Sequence, residues 1–189
     1  MKNLIRAFHI VLLFFTINVC LADSEPAQNH YAANWKFNWP FTKSYNYADV
    51  YVKRVIDGDT IELEDGERVR FIGIDTPEIH ESYKLDRDIR RTGQDKRTIL
   101  ELGRRSYLFT KNLVQGKRVS LEFDVEKRDR YKRLLAYVYL KDGTFVNAEI
   151  IRAGYASLMT YPPNVKYAEL FTKLYREARE NNWGLWGVN

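Results

Sequence analysis

Residues 50–74 read VYVKRVIDGDTIELEDGERVRFIGI, and this stretch decides the fold. Apolar side chains alternate with charged ones in three short runs, which is the pattern of half-buried β-strands. The dipeptides Asp57-Gly58 and Asp65-Gly66 separate the runs and are strong hairpin-turn signals. The stretch therefore predicts a three-stranded antiparallel meander whose last strand covers residues 69–74.

The rest of the chain extends this meander with two more strands and with helices. Alternation predicts a strand over residues 119–125, and the apolar residues 134–140, followed by the turn dipeptide Asp142-Gly143, predict another. Apolar residues at helical spacing predict helices over residues 99–113, 146–153 and 167–178. We interpret the densely charged residues 80–97 as a solvated loop or a frayed helix. The order predicts a β-barrel with helices (α+β class), namely a five-stranded Greek-key OB-fold barrel with three α-helices.

The composition limits the chemistry that this chain can perform. Its 189 residues include 30 Lys+Arg and 25 Asp+Glu, and 45% are hydrophobic, which excludes a disordered chain. A single cysteine excludes a disulfide framework and a CxxC zinc site, and three histidines argue against a histidine-rich metal cage. Catalysis must therefore come from carboxylates, arginine, lysine, tyrosine and the backbone. The formal net charge of +5 permits a polyanionic partner without requiring one.

The first 22 residues have the pattern of a secretory signal peptide. Lys2 and Arg6 precede a short apolar run, and small residues at positions 20 and 22 predict cleavage after Ala22. The expected location is therefore secreted or periplasmic, with an uncleaved membrane anchor as the alternative. Residues 23–46 are polar and then aromatic. They are interpreted as an extended arm packed on the domain, or alternatively as a stacking platform for bases or an interfacial aromatic belt. The remaining residues, 47–189, form the predicted barrel domain.

Several charged residues lie where strands end. Asp59 and Asp75 belong to strands that should be neighbours, so their carboxylates can converge, and such oxygen ligands suit Ca²⁺. Arg70 offers a planar fork for phosphate oxygens. Strict alternation places Arg70 and Asp75 on opposite faces of one strand, so a bulge around Gly73 or an early departure of the chain must bring them together. Each motif also has a simpler interpretation, as a turn, a strand end or a solvated loop.

Three separated motifs resemble the signature blocks of the staphylococcal nuclease (thermonuclease) family. They are residues 55–60 (VIDGDT), residues 70–78 (RFIGIDTPE) and residues 129–137 (DRYKRLLAY). Residues 146–147, Gly154 and residues 184–186 are similar to later landmarks of that family, in the same order. The resemblance covers residues 50–186. It implies an OB-fold nuclease domain over residues 47–189.

The resemblance also implies a function and roles for single residues. The implied activity is that of a Ca²⁺-dependent endonuclease that cleaves the 5′-O–P bond of single-stranded DNA and RNA, with weak sequence preference. A monomer is expected, and a catalytically inactive nucleic-acid-binding module is the alternative. The implied site residues are Asp59, Asp75 and the Thr76 carbonyl for Ca²⁺, Arg70 and Arg133 for phosphate, Glu78 as general base, and Tyr131 and Tyr161 for the nucleotide. Met159 stands where the family often has another tyrosine.

Overall fold

The structure is a computed structural model that describes residues 46–187, without the side chains of residues 91 and 92. Its strands are β1 (Val50–Asp57), β2 (Thr60–Leu63), β3 (Arg68–Phe71), β4 (Gly73–Asp75), β5 (Arg118–Glu122), β6 (Leu134–Leu140) and β7 (Ser157–Met159). Its helices are α1 (Tyr83–Thr92), α2 (Lys96–Val114), α3 (Val146–Arg152) and α4 (Ala168–Glu180), followed by a 3₁₀ turn over Gly184–Gly187. The predicted signal peptide and residues 23–45 of the predicted arm lie outside the described residues. No described helix combines the length and apolar character needed to cross a membrane.

Five strands form a closed barrel in the order β1-β2-β3-β6-β5. The meander β1-β2-β3 is antiparallel, as predicted, with Ile61 opposite Val69. Strands β3 and β6 pair in parallel, with Arg70 opposite Leu135, and β1 closes the barrel against β5. The predicted five-stranded OB-fold barrel is therefore confirmed.

The barrel interior and the inner faces of α2, α3 and α4 form one hydrophobic core. Its largest fully buried side chains include those of Tyr137, Phe71, Phe171, Ile61, Leu63, Ile74 and Ile150. Phe171 comes from α4 and Ile150 from α3, so both helices pack against the barrel. Burying one such apolar side chain contributes about 1.5–3 kcal/mol, so this core holds the strands whose ends carry the charged motifs.

The third strand of the meander is broken, which differs from the single strand predicted over residues 69–74. Strand β3 ends at Phe71, and β4 starts at Gly73 and pairs with β7 in a separate two-stranded sheet. Gly73 has a φ of 84°, and a Cβ there would lie 2.4 Å from the Phe171 ring, so only glycine fits. The buried Asn147 amide donates to the Ile72 carbonyl (2.9 Å) and stabilises the chain at the break.

The described part of the chain has four helices, one more than predicted. Helix α1 lies within the charged residues 80–97, which were interpreted as a solvated loop or a frayed helix. Its N-cap is Ser82, whose Oγ accepts a hydrogen bond from the Leu85 amide (3.2 Å), and its C-cap is Gly93, at a φ of 69°. Charged residues outnumber apolar ones in this short helix, so the hydrophobic pattern does not reveal it.

Candidate active site

The residues predicted to hold a metal ion meet at one edge of the barrel. Asp59 lies in the turn between β1 and β2, Asp75 ends β4, and Thr76 follows it. All three are buried. The backbone amide of Thr76 donates to Asp59 Oδ2 (2.9 Å), and its hydroxyl donates to the same oxygen (3.2 Å). Hydrogen bonds therefore join the two segments that carry the carboxylates.

The Arg70 guanidinium connects the carboxylates of Asp59 and Asp75. Its Nε lies 3.2 Å from Asp59 Oδ1, and its Nη2 lies 3.3 Å from Asp75 Oδ1. Its Nη1 donates to the carbonyls of Phe71 and Ile74, both at 2.7 Å. The break at Gly73 makes this possible, because the chain turns around the Arg70 side chain instead of continuing as a strand. Strict alternation would place Arg70 and Asp75 on opposite faces of one strand, and the change of chain direction at Gly73 brings their side chains together.

Glu78 lies in the loop between β4 and α1, and α2 packs tightly against that loop. A Cβ at Gly103 would lie 2.1 Å from the Glu78 carbonyl oxygen, so the helix backbone approaches the loop directly. Helix α2 also holds the turn beside Asp59, because the Thr110 hydroxyl donates to the Gly58 carbonyl (2.7 Å). One helix therefore fixes the positions of both the Glu78 loop and the Asp59 turn.

Lys84 is a member of this cluster that the sequence analysis missed. Its ammonium lies 2.8 Å from the Thr76 carbonyl oxygen, 3.0 Å from Asp75 Oδ1 and 3.0 Å from Glu78 Oε1. It reaches them from the first turn of α1, which lies within the residues expected to form a solvated loop or a frayed helix. The Ser82 hydroxyl, which caps α1, donates to the other Glu78 oxygen (3.3 Å). The N-cap serine and the terminal glycine were the available sequence signals for this helix.

Arg133 lies apart from this cluster, in the loop that directly precedes β6. Its Nε donates to Asp129 Oδ2 (2.7 Å), and Asp129 Oδ1 accepts the backbone amides of Tyr131 (2.9 Å) and Arg133 (3.0 Å). Within residues 46–187, no hydrogen bond or ion pair joins Arg133 to Asp59 or Asp75. Asp129, to which the sequence analysis gave no role, holds the guanidinium by its Nε and leaves both Nη groups available to a ligand.

The two predicted nucleotide-binding tyrosines are at the surface. Tyr131 is 65% exposed and Tyr161 is 68% exposed. The guanidinium of Arg133 lies 5.5 Å from the centre of the Tyr131 ring. Met159 stands instead inside the site, with its sulfur 3.3 Å from Arg70 Nη2. The structure therefore brings together Asp59, Asp75, Thr76, Arg70 and Glu78, and places Arg133, Tyr131 and Tyr161 outside that group.

Comparison with known proteins decides the family. The model of the family described as "Staphylococcal nuclease homologue" matches residues 68–188. The chain belongs to this family. The thermonuclease of Staphylococcus intermedius is 41% identical over 138 residues, which cover 71% of this chain and 74% of that protein. The thermonuclease of Staphylococcus hyicus is 35% identical over 138 residues (71% and 73%), and Endonuclease YncB of Bacillus subtilis is 30% identical over 210 residues (98% and 92%).

The oxygen atoms at this site fit the divalent cation that the staphylococcal nuclease family implies. Asp59 and Asp75 supply carboxylate oxygens and Thr76 supplies a carbonyl oxygen, which are the ligand types that Ca²⁺ prefers. The Lys84 ammonium already lies on two of these groups, so the site accepts positive charge. Among the described residues, no three His, Cys, Asp or Glu side chains form a metal-binding group. A cation here would be held by two carboxylates and a carbonyl, with the remaining positions left for water or substrate.

In this staphylococcal nuclease homologue, the surroundings of Asp59 and Asp57 shift the pKa values of these two carboxyl groups in opposite directions. Burial alone would raise the pKa of Asp59, but the Arg70 guanidinium and then the Lys84 ammonium outweigh it and lower that pKa to about 2. Burial, followed by the Asp59 charge, raises the pKa of Asp57 to about 7. Burial opposes the charge on Lys84, yet Asp59, Asp75 and Glu78 raise its pKa above the ordinary value. Asp59 is therefore ionised and Lys84 protonated at neutral pH.

The raised pKa of Asp57 predicts a pH dependence of stability in chelator-treated protein. Folded Asp57 keeps its proton at pH values where the unfolded chain, with a pKa of about 3.9, has lost it. The unfolding free energy should therefore decrease as the pH rises from about 4 through 7, and Asp57→Asn should remove this decrease. Thermal unfolding at several pH values measures it, with the exposed Asp65→Asn as control. A wild-type slope in Asp57→Asn would contradict the assignment.

Proposed function

We propose that this staphylococcal nuclease homologue is a Ca²⁺-dependent endonuclease that hydrolyses phosphodiester bonds of DNA and RNA. One observation carries the proposal: Asp59 and Asp75 both pair with the Arg70 guanidinium, and the Thr76 carbonyl shares the Lys84 ammonium with Asp75. Oxygen ligands for a hard cation and a phosphate-binding fork then share one site. The thermonucleases and endonucleases among its relatives support the same activity.

The side chains of this site have distinct roles in the proposed reaction. Asp59, Asp75 and the Thr76 carbonyl would hold Ca²⁺, which supplies positive charge to the phosphoryl oxygens. Glu78 orients a water molecule and accepts its proton as the new O–P bond forms. The bond from phosphorus to the 5′-oxygen then breaks, and that oxygen takes a proton from solvent. The products are a 5′-hydroxyl and a 3′-phosphate.

Arg70 and Arg133 stabilise the transition state from two directions. The phosphoryl group gains negative charge as water attacks, and guanidinium groups that are held in place before the reaction stabilise that charge best. Arg70 is held by two backbone carbonyls and Arg133 by Asp129. Arg133 directly precedes β6, which pairs in parallel with the strand that carries Arg70, and we propose that one phosphate contacts both forks.

Single-stranded nucleic acid is the proposed substrate class, and a monomer is the proposed active form. The exposed rings of Tyr131 and Tyr161 can stack only on bases that are not paired. Stacking and phosphate contacts carry little information about base identity, so sequence preference should be weak for both DNA and RNA.

Analysis of the reaction products tests the proposed chemistry. Single-stranded DNA or RNA, incubated with the chain and Ca²⁺, should yield internal fragments with 5′-hydroxyl and 3′-phosphate ends. Glu78→Gln should lower the rate and give the same ends, because it removes the proton acceptor and leaves the phosphate contacts. A 5′-phosphate on the products would contradict the proposed bond cleavage. Binding without cleavage would favour the inactive binding module instead.

We also propose that the protein acts outside the cytoplasm. The proposal rests on the basic start, the apolar run and the small residues at positions 20 and 22. N-terminal sequencing of the mature protein from culture medium or periplasm should begin at Asp23. A chain that begins at Met1 and sediments with membranes would instead indicate an uncleaved anchor.

A further inference from the structure

A groove lies next to the Glu78 loop of the candidate active site, along the exposed face of α2. It has a volume of about 1280 Å³, and its walls include residues of β1, β3 and α2 together with Ile79 and His80. The basic residues lining it are Arg54, Arg68, Lys96, Arg97, Arg104 and Lys111; the acidic one is Glu101. We call it the α2 groove. Its excess of positive charge distinguishes it from an ordinary surface depression.

Three of these cations form a straight row. Arg97, Arg104 and Lys111 recur every seven residues, so they lie on one face of α2 with spacings of about 10 Å along its axis. Arg54 and Lys96 pair with Glu62 and Glu81. In contrast, no acidic side chain of the described residues lies within ion-pair distance of the three cations in the row. A regular row of uncompensated positive charge fits a linear polyanion.

The α2 groove adjoins the Glu78 loop on one side and a smaller groove on the other. Ile79 and His80, in its wall, directly follow Glu78 along the chain. At the other side, Arg68 also lines a smaller groove of about 600 Å³ that contains Tyr131 and Arg133. A strand bound at Arg133 can therefore pass Arg68 and enter the α2 groove without leaving the surface.

We propose that the α2 groove is a second nucleic-acid site, which binds the phosphodiester backbone of a strand next to the bond that is cleaved. The inference rests on the proposed nuclease function. The α2 groove would contact a long substrate but would be out of reach of a dinucleotide bound at the candidate active site. The row therefore raises affinity for polymers and leaves the chemical step unchanged.

A triple substitution tests this inference. The test strand has about 20 nucleotides, which is longer than the about 4–16 nucleotides that one OB-fold covers. Its binding should weaken at least tenfold in the triple variant Arg97→Gln, Arg104→Gln and Lys111→Gln. The plot of log affinity against log salt should become shallower by about 2, since each lost phosphate contact on a single strand contributes about 0.7. Fluorescence anisotropy with chelator measures binding without cleavage.

The matched control removes three exposed cations outside the groove: Lys117→Gln, Lys173→Gln and Arg176→Gln. If the triple variant binds the strand with the same affinity and salt slope as the control variant, the proposal that the α2 groove binds nucleic acid is wrong. Cleavage of a dinucleotide should be the same in all three proteins. If the wild type binds the long strand through the groove but cleaves no substrate, the nuclease proposal fails and the groove stands.

A second inference comes from Lys84, whose ammonium contacts three oxygens of the candidate active site. Two of them, Asp75 Oδ1 and the Thr76 carbonyl, are also proposed ligands of Ca²⁺. An ammonium at 2.8–3.0 Å from these atoms occupies the space in which a cation would contact them. Lys84 and a divalent ion therefore exclude each other at these oxygens.

We propose that Lys84 is an internal competitor for the divalent cation. When the cation binds, the ammonium leaves Asp75 and Thr76, and Glu78 loses its ion pair with Lys84. Glu78 is then free to orient water, so cation binding and release of the base are coupled. Lys84 thus acts as a positioning residue for Glu78 and sets the concentration of cation that the protein requires.

Calcium affinity and lysine reactivity test this competition. Lys84→Met should bind Ca²⁺ about tenfold more tightly by calorimetry if the ammonium occupies the oxygens about nine-tenths of the time. In the wild type, Ca²⁺ should increase acylation of Lys84, measured by mass spectrometry against Lys173 in the same chain. If Lys84→Met is unstable, Lys84→Gln replaces it, because a neutral polar side chain removes the ammonium without placing an apolar group beside the carboxylates.

The outcomes separate this inference from the nuclease proposal. Weaker or unchanged Ca²⁺ affinity in Lys84→Met and Lys84→Gln would overturn the competition, as would Ca²⁺ that protects Lys84 from acylation. Lys173→Met, an exposed substitution on α4, should leave Ca²⁺ affinity unchanged. Absence of Ca²⁺ binding to the wild type would overturn the proposed cation site and the competition together.

Discussion

Arg133→Ala is expected to lower turnover of single-stranded DNA by about 10²–10³ and to leave the unfolding free energy nearly unchanged. Each effect has a structural reason. The two Nη groups of Arg133 are available to a phosphate, so their loss removes transition-state stabilisation. Arg133 is only partly buried and pairs with the loop residue Asp129, so the barrel core does not depend on it.

Steady-state kinetics and chemical denaturation measure these two effects separately. Arg130→Ala is the matched control, because Arg130 is an exposed neighbour that also lies over the Tyr131 ring. It should leave turnover close to the wild-type value. Wild-type turnover in Arg133→Ala would remove that arginine from the mechanism. An equal loss in Arg130→Ala would assign the effect to the loop and not to the Arg133 fork.

Arg70→Ala should lower turnover by at least about 10²–10³ and should also destabilise the chelator-treated protein. Arg70 neutralises Asp59 and Asp75, whose side chains are 4% and 9% exposed. Removing one partner of a buried ion pair leaves an uncompensated charge and costs about 3–5 kcal/mol. The two arginines therefore differ: both substitutions lower activity, and only that of Arg70 lowers stability by several kcal/mol.

Arg70→Lys separates charge from geometry at this position. A lysine keeps the positive charge between the carboxylates but cannot donate to the Phe71 and Ile74 carbonyls with a planar fork. We expect part of the stability to return and most of the activity loss to remain. Full recovery of turnover in Arg70→Lys would contradict the role of the guanidinium. Wild-type stability in Arg70→Ala would contradict the buried ion pairs.

The sequence predicts the barrel because apolar side chains mark its strands and turn residues separate them. Alternation along β5 reflects burial of one face, and glycine-containing turns separate the first strands. The break between β3 and β4 depends on the close approach of the Phe171 ring to Gly73, and these residues are far apart in sequence. Local pattern carries no information about such a contact, so the sequence requires either a bulge near Gly73 or an early departure of the chain and does not decide between them.

The candidate site was predictable to the extent that local motifs place its residues at strand ends. Asp59 and Arg70 meet because β2 and β3 are neighbours in the barrel, and Asp75 and Thr76 reach them because the chain turns at Gly73. Lys84 was missed because its helix buries few apolar side chains, and charge density favoured a loop. The hydrogen bonds from Arg133 to Asp129 depend on the tight turn between these residues, in which Lys132 has a φ of 65°.

The calcium requirement of cleavage tests the central claim most directly, since that claim places the cation and the phosphate at one site. Initial rates on single-stranded DNA should be measured against Ca²⁺ concentration, with and without chelator, for the wild type and for Asp75→Asn. We predict that chelator abolishes cleavage, that Ca²⁺ restores it to saturation, and that Asp75→Asn needs a much higher concentration. Cleavage that persists in chelator, or an unchanged Ca²⁺ requirement in Asp75→Asn, would contradict the account.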